Sequence, residues 1–204
     1  MNTLLILQLT AHLLADFNFQ PQGWCDIKDR KMISKTHLYH IFIVFACSWL
    51  LSLTISFWWA ALLITLFHLA IDVAKSYLSR KESWRNHLFF IDQALHIALI
   101  TGVVYLFSAY TPVHFPSFIS INRAFILFAV IACSKPSNIF IKKYMEANAI
   151  FPASENKTNK AMMKAGRVIG SLERVISFCL IAVNQFAAVG FIIAAKSILR
   201  FRDT

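Results

Sequence analysis

Long apolar blocks alternate with short polar segments along the chain. The blocks cover residues 3–19, 38–57, 60–78, 88–109, 118–134 and 172–195. Each is close to the roughly 20 residues that an α-helix needs to cross the hydrocarbon core of a bilayer. The pattern therefore predicts an all-α, polytopic transmembrane helix bundle of five or six spans. Residues 1–204 are expected to form a single membrane domain.

The last block leaves the span count open, because the polar residues Asn184 and Gln185 interrupt it. It either crosses the membrane as a plain span, which is the favoured alternative, or folds back near Asn184 as a re-entrant hairpin. A re-entrant backbone is tolerated at that depth only where protein shields its polar groups. A plain span conflicts with the basic residues of segment 196–202, which would then lie outside the cell.

Composition supports a membrane protein and excludes two other classes. Hydrophobic residues make up 58% of the chain, whereas soluble domains contain about half. The net charge of +10 does not indicate nucleic-acid binding, because Lys and Arg do not form one stripe with interleaved aromatic residues. The 4 Cys residues are scattered without a C-x-x-C motif, so they indicate neither a disulfide framework nor a cysteine-based metal site.

The basic residues set the orientation of the spans. They collect in segments 20–37, 79–87 and 141–168, which the positive-inside rule places in the cytoplasm. The last of these is predicted to be a basic cytoplasmic loop at about 141–168. A basic rim also attracts anionic headgroups, so membrane lipids are expected partners.

Ionisable residues inside the apolar blocks form three pairs with i,i+4 spacing. The pairs are His12 with Asp16, His68 with Asp72, and Asp92 with His96. On a helix this spacing puts both side chains on one face, one turn apart. Because ionisable groups in a membrane are costly and usually functional, these six residues are the primary site candidates.

The predicted topology places the three pairs at the same depth. The aspartates lie roughly 5–10 Å inside the cytoplasmic boundary, and each histidine lies one turn deeper. The Asp-then-His order of the third pair is what a helix of opposite direction needs to keep its carboxylate in that layer. The sequence therefore predicts a layer of three carboxylates beside a layer of three imidazoles.

Three interpretations of this arrangement remain open. A single His–Asp pair is most often a buried structural hydrogen bond, and three such pairs form either a structural network, a proton or ion relay, or a metal and catalytic centre. In the last case His12, Asp16, His68, Asp72, Asp92 and His96 are the predicted metal ligands. Imidazole and carboxylate suit a divalent metal such as Zn²⁺, Mn²⁺ or Fe²⁺. Dedicated metalloenzyme motifs such as H-E-x-x-H are absent from the sequence.

Secondary candidates border the same layer. The predicted catalytic residues are Asp16, Asp72, Asp92 and Lys75. Lys75 can bind a phosphate, although a lysine at a helix end more often extends its ammonium group to the interface. Gln20 and Gln93 can orient ligands, and His37 and His40 share a face at the start of the second block.

Five motifs resemble a known family. They are Ala11-His12-Leu13-Leu14-Ala15-Asp16-Phe17, His68-x-x-Ile71-Asp72-x-x-Lys75, Asp92-Gln93-x-Leu95-His96, Gly166-Arg167-x-Ile169-Gly170-x-Leu172-Glu173-Arg174 and Ala194-Ala195-Lys196-Ser197-x-x-Arg200. In this order they resemble the bacterial membrane family called domain of unknown function 3307. The resemblance implies a multi-pass protein of the bacterial cell (inner) membrane and supplies no established activity. The short His-x-x-x-Asp helices also resemble, more distantly, membrane-bound metal-dependent hydrolases.

The leading functional prediction is metal-dependent hydrolysis of a phosphate ester in a lipid or isoprenoid carrier, at a site near the cytoplasmic face. Lys75 would then lie near the phosphate, and the carboxylates would serve as ligands and base. A proton-linked transporter is the first alternative, although it needs polar groups that continue to the outer face. The second alternative is a non-enzymatic anchor or sensor whose basic 141–168 segment docks a partner.

Overall fold

The computed structural model describes residues 1–30, 34–79, 85–148, 150 and 157–202. Within these ranges the secondary structure is entirely helical, which confirms the predicted all-α class. The α-helices are α1 (Asn2–Leu13), α2 (Gln22–Arg30), α3 (Lys35–Ser52), α4 (Trp58–Leu78), α5 (Arg85–Tyr110), α6 (Ile121–Cys133), α7 (Lys135–Ala147), α8 (Lys157–Ala182) and α9 (Phe186–Arg202). A π-helix over Leu14–Asn18 extends α1, and a short 3₁₀-helix over Ile55–Phe57 precedes α4.

Helix α1 lies at the centre of the bundle. It packs against α3, α5 and α6, while α4 packs between α3 and α5. Alanines 11, 15, 60 and 61 are fully or almost fully buried at these contacts. Small side chains let helix backbones approach closely, which is how helices associate where there is no water to exclude. The central position of α1 is what brings its His/Asp pair close to those of α4 and α5.

The turn between α3 and α4 begins earlier than the sequence predicted. The second apolar block was expected to be helical over 38–57, but α3 spans Lys35–Ser52. The Ser52 hydroxyl donates to the Trp49 carbonyl at 2.6 Å and accepts from the Thr54 N–H at 3.2 Å. Leu53 takes a left-handed conformation with φ of 53°. These contacts end the helix inside the apolar block, where hydrophobicity alone gives no signal of a stop.

Helices α6 and α7 form a bent pair. Their axes differ by 47° at Ser134, and Pro136 lies in the first turn of α7. Proline has no backbone N–H to donate and is tolerated there without loss of a helix hydrogen bond. The predicted basic loop at 141–168 is mostly helical in its described residues, because α7 continues to Ala147 and α8 begins at Lys157.

The plain span favoured for residues 172–195 is wrong. The polypeptide instead forms two helices, α8 and α9, which meet at a turn where Asn184 has a φ of 60°. Asparagine tolerates this left-handed conformation better than most residues. Lys196 of α9 forms an ion pair with Glu173 of α8, so α9 returns along α8. The last apolar block therefore folds back near Asn184.

Two helical stretches are long and apolar enough to cross a membrane by themselves, Ile55–Leu78 and His87–Tyr110. The bent α6–α7 pair would make a third if it counts as one span. Among the described residues, the predicted number of five or six spans is therefore not confirmed. Large apolar side chains such as Phe42, Ile55 and Tyr105 are more than 60% exposed. Outward-facing apolar surface of this kind is compatible with a location in a membrane.

Candidate functional site

Asp16 lies in the π-helical turn that ends α1. The Phe19 N–H donates to the Leu14 carbonyl at 2.8 Å, five residues back instead of four. Wider turns of this type are frequent at functional sites because they change the direction of one side chain relative to its helix. Here the Asp16 carboxylate lies 3.6 Å from the Nδ1 of His12, and it also faces histidines of α3 and α4.

Four imidazole rings form a cluster in the centre of the bundle, contributed by His12, His40, His68 and His96. The ring centroids of His68 and His96 are 4.1 Å apart, and those of His12 and His96 are 5.3 Å apart. The Nε2 atoms of His40 and His68 approach each other to 3.0 Å. All four side chains are buried, so the rings contact each other and the surrounding aspartates with little water between them.

Two of the three aspartates are paired with lysines. Lys28 of α2 forms an ion pair with Asp72, and Lys75 donates to Asp92 Oδ2 at 2.8 Å. Gln93 donates to the same Asp92 oxygen at 3.1 Å and contacts His12 Nε2 at 3.3 Å. A buried carboxylate is costly unless an opposite charge or hydrogen bonds compensate it. Asp72 and Asp92 have this compensation.

Asp16 differs from the other two aspartates. No Lys or Arg nitrogen of the described residues lies within 4.0 Å of its carboxylate. Its Oδ1 instead faces three imidazole nitrogens at 3.5–3.6 Å, those of His12, His40 and His68. These separations exceed a good hydrogen bond, and neither Asp16 Oδ1 nor His12 Nδ1 has a hydrogen-bond partner.

The geometry around Asp16 fits the spacing of metal ligands. Four ligands around a Zn²⁺-sized ion at bond lengths near 2.0–2.1 Å lie about 3.3 Å from each other. Three overlapping groups in the described chain have ligand atoms within 4.8 Å of one another: His12 with Asp16 and His68, His40 with His68 and Asp72, and Asp72 with Asp92 and His96. Buried His and Asp groups of this protein can therefore hold a metal ion. Because lysines already neutralise Asp72 and Asp92, the group around Asp16 is the best of the three.

A cavity of about 580 Å³ opens beside the cluster. Its polar wall includes Asp16, Asp72 and Gln93, together with four lysines at positions 28, 75, 135 and 143. The Gln20 amide also lies on this wall, where it accepts from Lys28 Nζ at 3.0 Å and donates to the Asp16 carbonyl at 3.2 Å. Asp16 and Asp72 are therefore accessible from this cavity, and the cavity is rich in groups that bind anions.

The opposite side of the cluster is closed. Gln8 and Ser48 bond to each other there, the Ser48 hydroxyl donating to Gln8 Oε1 at 2.6 Å and the Gln8 amide donating to the Ser48 carbonyl at 2.9 Å. Together with His12 and His68 they line a void of only 10 Å³. The fully buried Phe57 and Phe107 pack in the same bundle core with ring centroids 4.8 Å apart.

The structure brings all six residues of the predicted pairs together. The Lys75 ammonium donates to Asp92 within the site. His40 joins the cluster, whereas His37 bonds to Ser34 and belongs to none of the three possible metal groups. Burial, followed by the neighbouring Lys28 ammonium, lowers the pKa of His37, so this ring is uncharged at neutral pH.

Sequence reasoning did not include Lys28, Lys135 and Lys143 in the site. Lys28 lies in the polar segment after α1, and the other two lie in the segment after α6, where lysine is expected at any cytoplasmic surface. The only available signal was spacing, since Lys135, Ile139 and Lys143 recur every four residues and so share one face of a helix.

Of three comparisons with other proteins, one gives a match. Neither a search of curated proteins nor a search of solved structures finds a match for this chain. A family model described as "Protein of unknown function (DUF3307)" matches residues 4–134. These residues include all three His/Asp pairs, whereas the motifs at 166–174 and 194–200 lie outside the match. Because the match covers more than half of the 204 residues, the chain belongs to this family.

Proposed function

We propose that this protein is a multi-pass protein of the bacterial inner membrane that hydrolyses a phosphate ester of a membrane lipid with the help of a divalent metal ion. One observation carries the proposal. The Asp16 carboxylate has no lysine partner among the described residues and faces three buried imidazole nitrogens at 3.5–3.6 Å. A divalent cation is the partner that would compensate this carboxylate and use the unpaired atoms around it.

In this proposal His12, Asp16 and His68 hold the metal, and His40 is close enough to be a fourth ligand. Zn²⁺, Mn²⁺ and Fe²⁺ all accept imidazole and carboxylate ligands. A metal ion bound there would lower the pKa of a water molecule and polarise a phosphoryl oxygen. Gln93 would fix the orientation of His12, because its Oε1 contacts the His12 Nε2 at 3.3 Å.

The remaining charged groups bind the substrate and transfer protons. Lys75 lies on the cavity wall and can donate to a phosphate oxygen while it keeps its bond to Asp92. Asp92 Oδ1 is buried and has no hydrogen-bond partner, so it can accept a proton as a general base. Gln93 bridges Asp92 and His12, which couples the base to the metal ligands.

The two alternative functions receive less support from the structure. A proton relay through the bundle needs polar groups on both sides of the histidines, and the side beyond Gln8 and Ser48 is filled by apolar residues such as Phe57 and Phe107. A membrane anchor gives no reason for a buried cluster of charged residues, each of which is costly to keep away from water.

Metal analysis of the purified protein tests the proposal. We expect about one equivalent of Zn, Mn or Fe per chain in the parent protein and its loss in the His68→Ala variant. The matched control is His114→Ala, since His114 is exposed in the turn between α5 and α6 and belongs to no possible metal group. The same proteins are then assayed for release of inorganic phosphate from a series of lipid phosphates.

Hydrolysis that depends on the added metal and is lost only in His68→Ala supports the enzyme. A parent protein that is folded, free of metal and inactive on every lipid phosphate contradicts it. Proton flux into liposomes that is abolished by His68→Ala but not by His114→Ala would instead identify a relay.

A further inference from the structure

The cavity beside the cluster has walls of two chemical kinds. It is lined both by lysine ammonium groups from α2, α4 and α7 and by the apolar side chains of Phe17, Leu88, Phe89 and Ile139. Its volume of 580 Å³ falls in the range of about 300–1,000 Å³ that is typical of small-molecule sites. A free phosphate ion would leave most of this space and all of the apolar wall unused.

We infer that α7 forms the headgroup-binding wall of this cavity, with Lys135 and Lys143 holding the phosphate of an amphiphilic lipid. The inference deepens the proposed function by assigning the residues that recognise the substrate, but the binding itself does not require a metal ion. It follows from three features of the cavity: the face that α7 presents, the partners of each lysine and the position of the apolar wall.

Helix α7 presents one face to the cavity. Lys135, Ile139, Lys143 and Glu146 all line it, at intervals of four, four and three residues. This spacing places side chains along one side of an α-helix. The face combines two cations with an apolar residue, and Lys28 and Lys75 line the same cavity.

The four cavity lysines differ in whether a carboxylate already binds their ammonium group. Lys28 and Lys75 are bound by buried aspartates, and Lys143 donates to Glu146 at 3.0 Å. Among the described residues, the ammonium group of Lys135 donates only to the Asn18 carbonyl, at 3.4 Å, and no carboxylate lies within 4.0 Å of it. An ammonium group has three donors, so Lys135 keeps most of its capacity to bind an anion.

The apolar wall favours a lipid over a free anion. Phe17 and Leu88 are each 6% exposed, and the Phe17 and Phe89 rings pack edge to face with centroids 6.4 Å apart. Phe89 also contacts Phe140 on α7. Aromatic and aliphatic side chains next to an ammonium group match a ligand with a charged head and a hydrocarbon chain.

Equilibrium binding to metal-free protein in detergent tests this assignment, with dihexanoyl phosphatidic acid as the probe. We expect Lys135→Gln to weaken binding about tenfold, since it removes a charge-assisted hydrogen bond to the phosphate. Lys142→Gln is the matched control, because Lys142 is on the same helix and pairs with the same Glu146 at 3.5 Å but does not line the cavity. The affinity of the Lys142→Gln variant for the probe is expected to stay within about twofold of the parent value.

A third variant gives an effect of opposite sign that misfolding cannot mimic. Glu146→Gln releases Lys143 from its ion pair and removes a negative charge from the cavity wall. We expect it to bind the probe about threefold more tightly.

Inorganic phosphate and dihexanoylglycerol complete the experiment, and both are expected to bind much more weakly than the phosphatidic acid. Equal affinity for either of them, or an unchanged affinity in Lys135→Gln, would overturn the assignment. Intact binding in a protein that neither holds metal nor hydrolyses lipid phosphates contradicts the proposed function but supports this site.

Discussion

Asp16→Asn separates a metal ligand from a structural carboxylate better than any other single change. The substitution keeps the shape of the side chain and removes its charge. In the metal-free protein we expect little loss of stability or a small gain, because Asp16 has no lysine partner among the described residues and its Oδ1 makes no hydrogen bond. A carboxylate without a lysine or arginine partner contributes little to folding stability, so removal of its charge is not costly.

The metal-loaded protein is expected to respond in the opposite way. A metal present at 100 times its dissociation constant stabilises the fold by about 2.7 kcal/mol. Loss of a residue that only orients a metal ligand weakens metal affinity by about 10–100-fold. Because Asp16 is proposed to be a charged ligand itself, Asp16→Asn should weaken the affinity by about 100-fold or more. At the same metal concentration the stabilisation would then fall to about 0.4 kcal/mol. For a chain of this size these energies correspond to shifts in Tm of about 5–10 °C and about 1 °C.

Thermal unfolding in detergent with and without Zn²⁺ or Mn²⁺ measures this difference. The control is Ser108→Ala, because the Ser108 hydroxyl is also buried without a hydrogen-bond partner but lies outside the possible metal groups. It should keep the full metal-dependent shift. The reasoning is refuted if Asp16→Asn lowers the Tm of the metal-free protein by as much as it lowers that of the loaded one, because Asp16 would then be a structural hydrogen-bond acceptor.

Two further predictions concern polar contacts, one within the site and one that joins α8 to α6 and α7. Lys75→Gln should destabilise the metal-free protein by about 2 kcal/mol, less than the 3–5 kcal/mol of a fully buried pair, because the Lys75 side chain is 31% exposed. In thermal unfolding, the double variant that also carries Asp92→Asn should recover most of the stability lost in Lys75→Gln. A double variant as unstable as Lys75→Gln would contradict a stabilising ion pair between Lys75 and Asp92. Arg174→Gln should increase hydrogen exchange in α8 about tenfold, since Arg174 bonds to α6 and α7. Arg123→Gln, which alters only a contact at the start of α6, should leave α8 unchanged.

Local patterns predicted the helical class and the primary site residues. Apolar blocks of helical length follow directly from the cost of placing backbone and side chains in a bilayer, and they mark most of the helices correctly. The pairs at His12, His68 and His96 were recognisable because i,i+4 spacing fixes two side chains on one face of a helix whatever its neighbours are.

Helix ends were harder to predict because they depend on a few polar contacts. Ser52 ends α3 by bonding to Trp49 and Thr54 within an apolar block. Asn184 reverses the chain within a block long enough to span, and α9 then packs against α8. Hydrophobicity summed over a window is insensitive to such contacts, which explains both the late end predicted for the second helix and the wrong plain span at the C-terminal end.

By itself, the sequence determined that the chain is helical, rich in membrane-compatible segments and supplied with three buried His/Asp pairs, since these properties depend on residues within one or two turns of each other. Only the tertiary structure decided which charges compensate which. It joined Lys28 to Asp72 and Lys75 to Asp92, and it added His40 to the cluster while leaving Asp16 among imidazoles. Contacts between residues that are far apart in the chain follow from helix packing, and neither composition nor spacing encodes them locally.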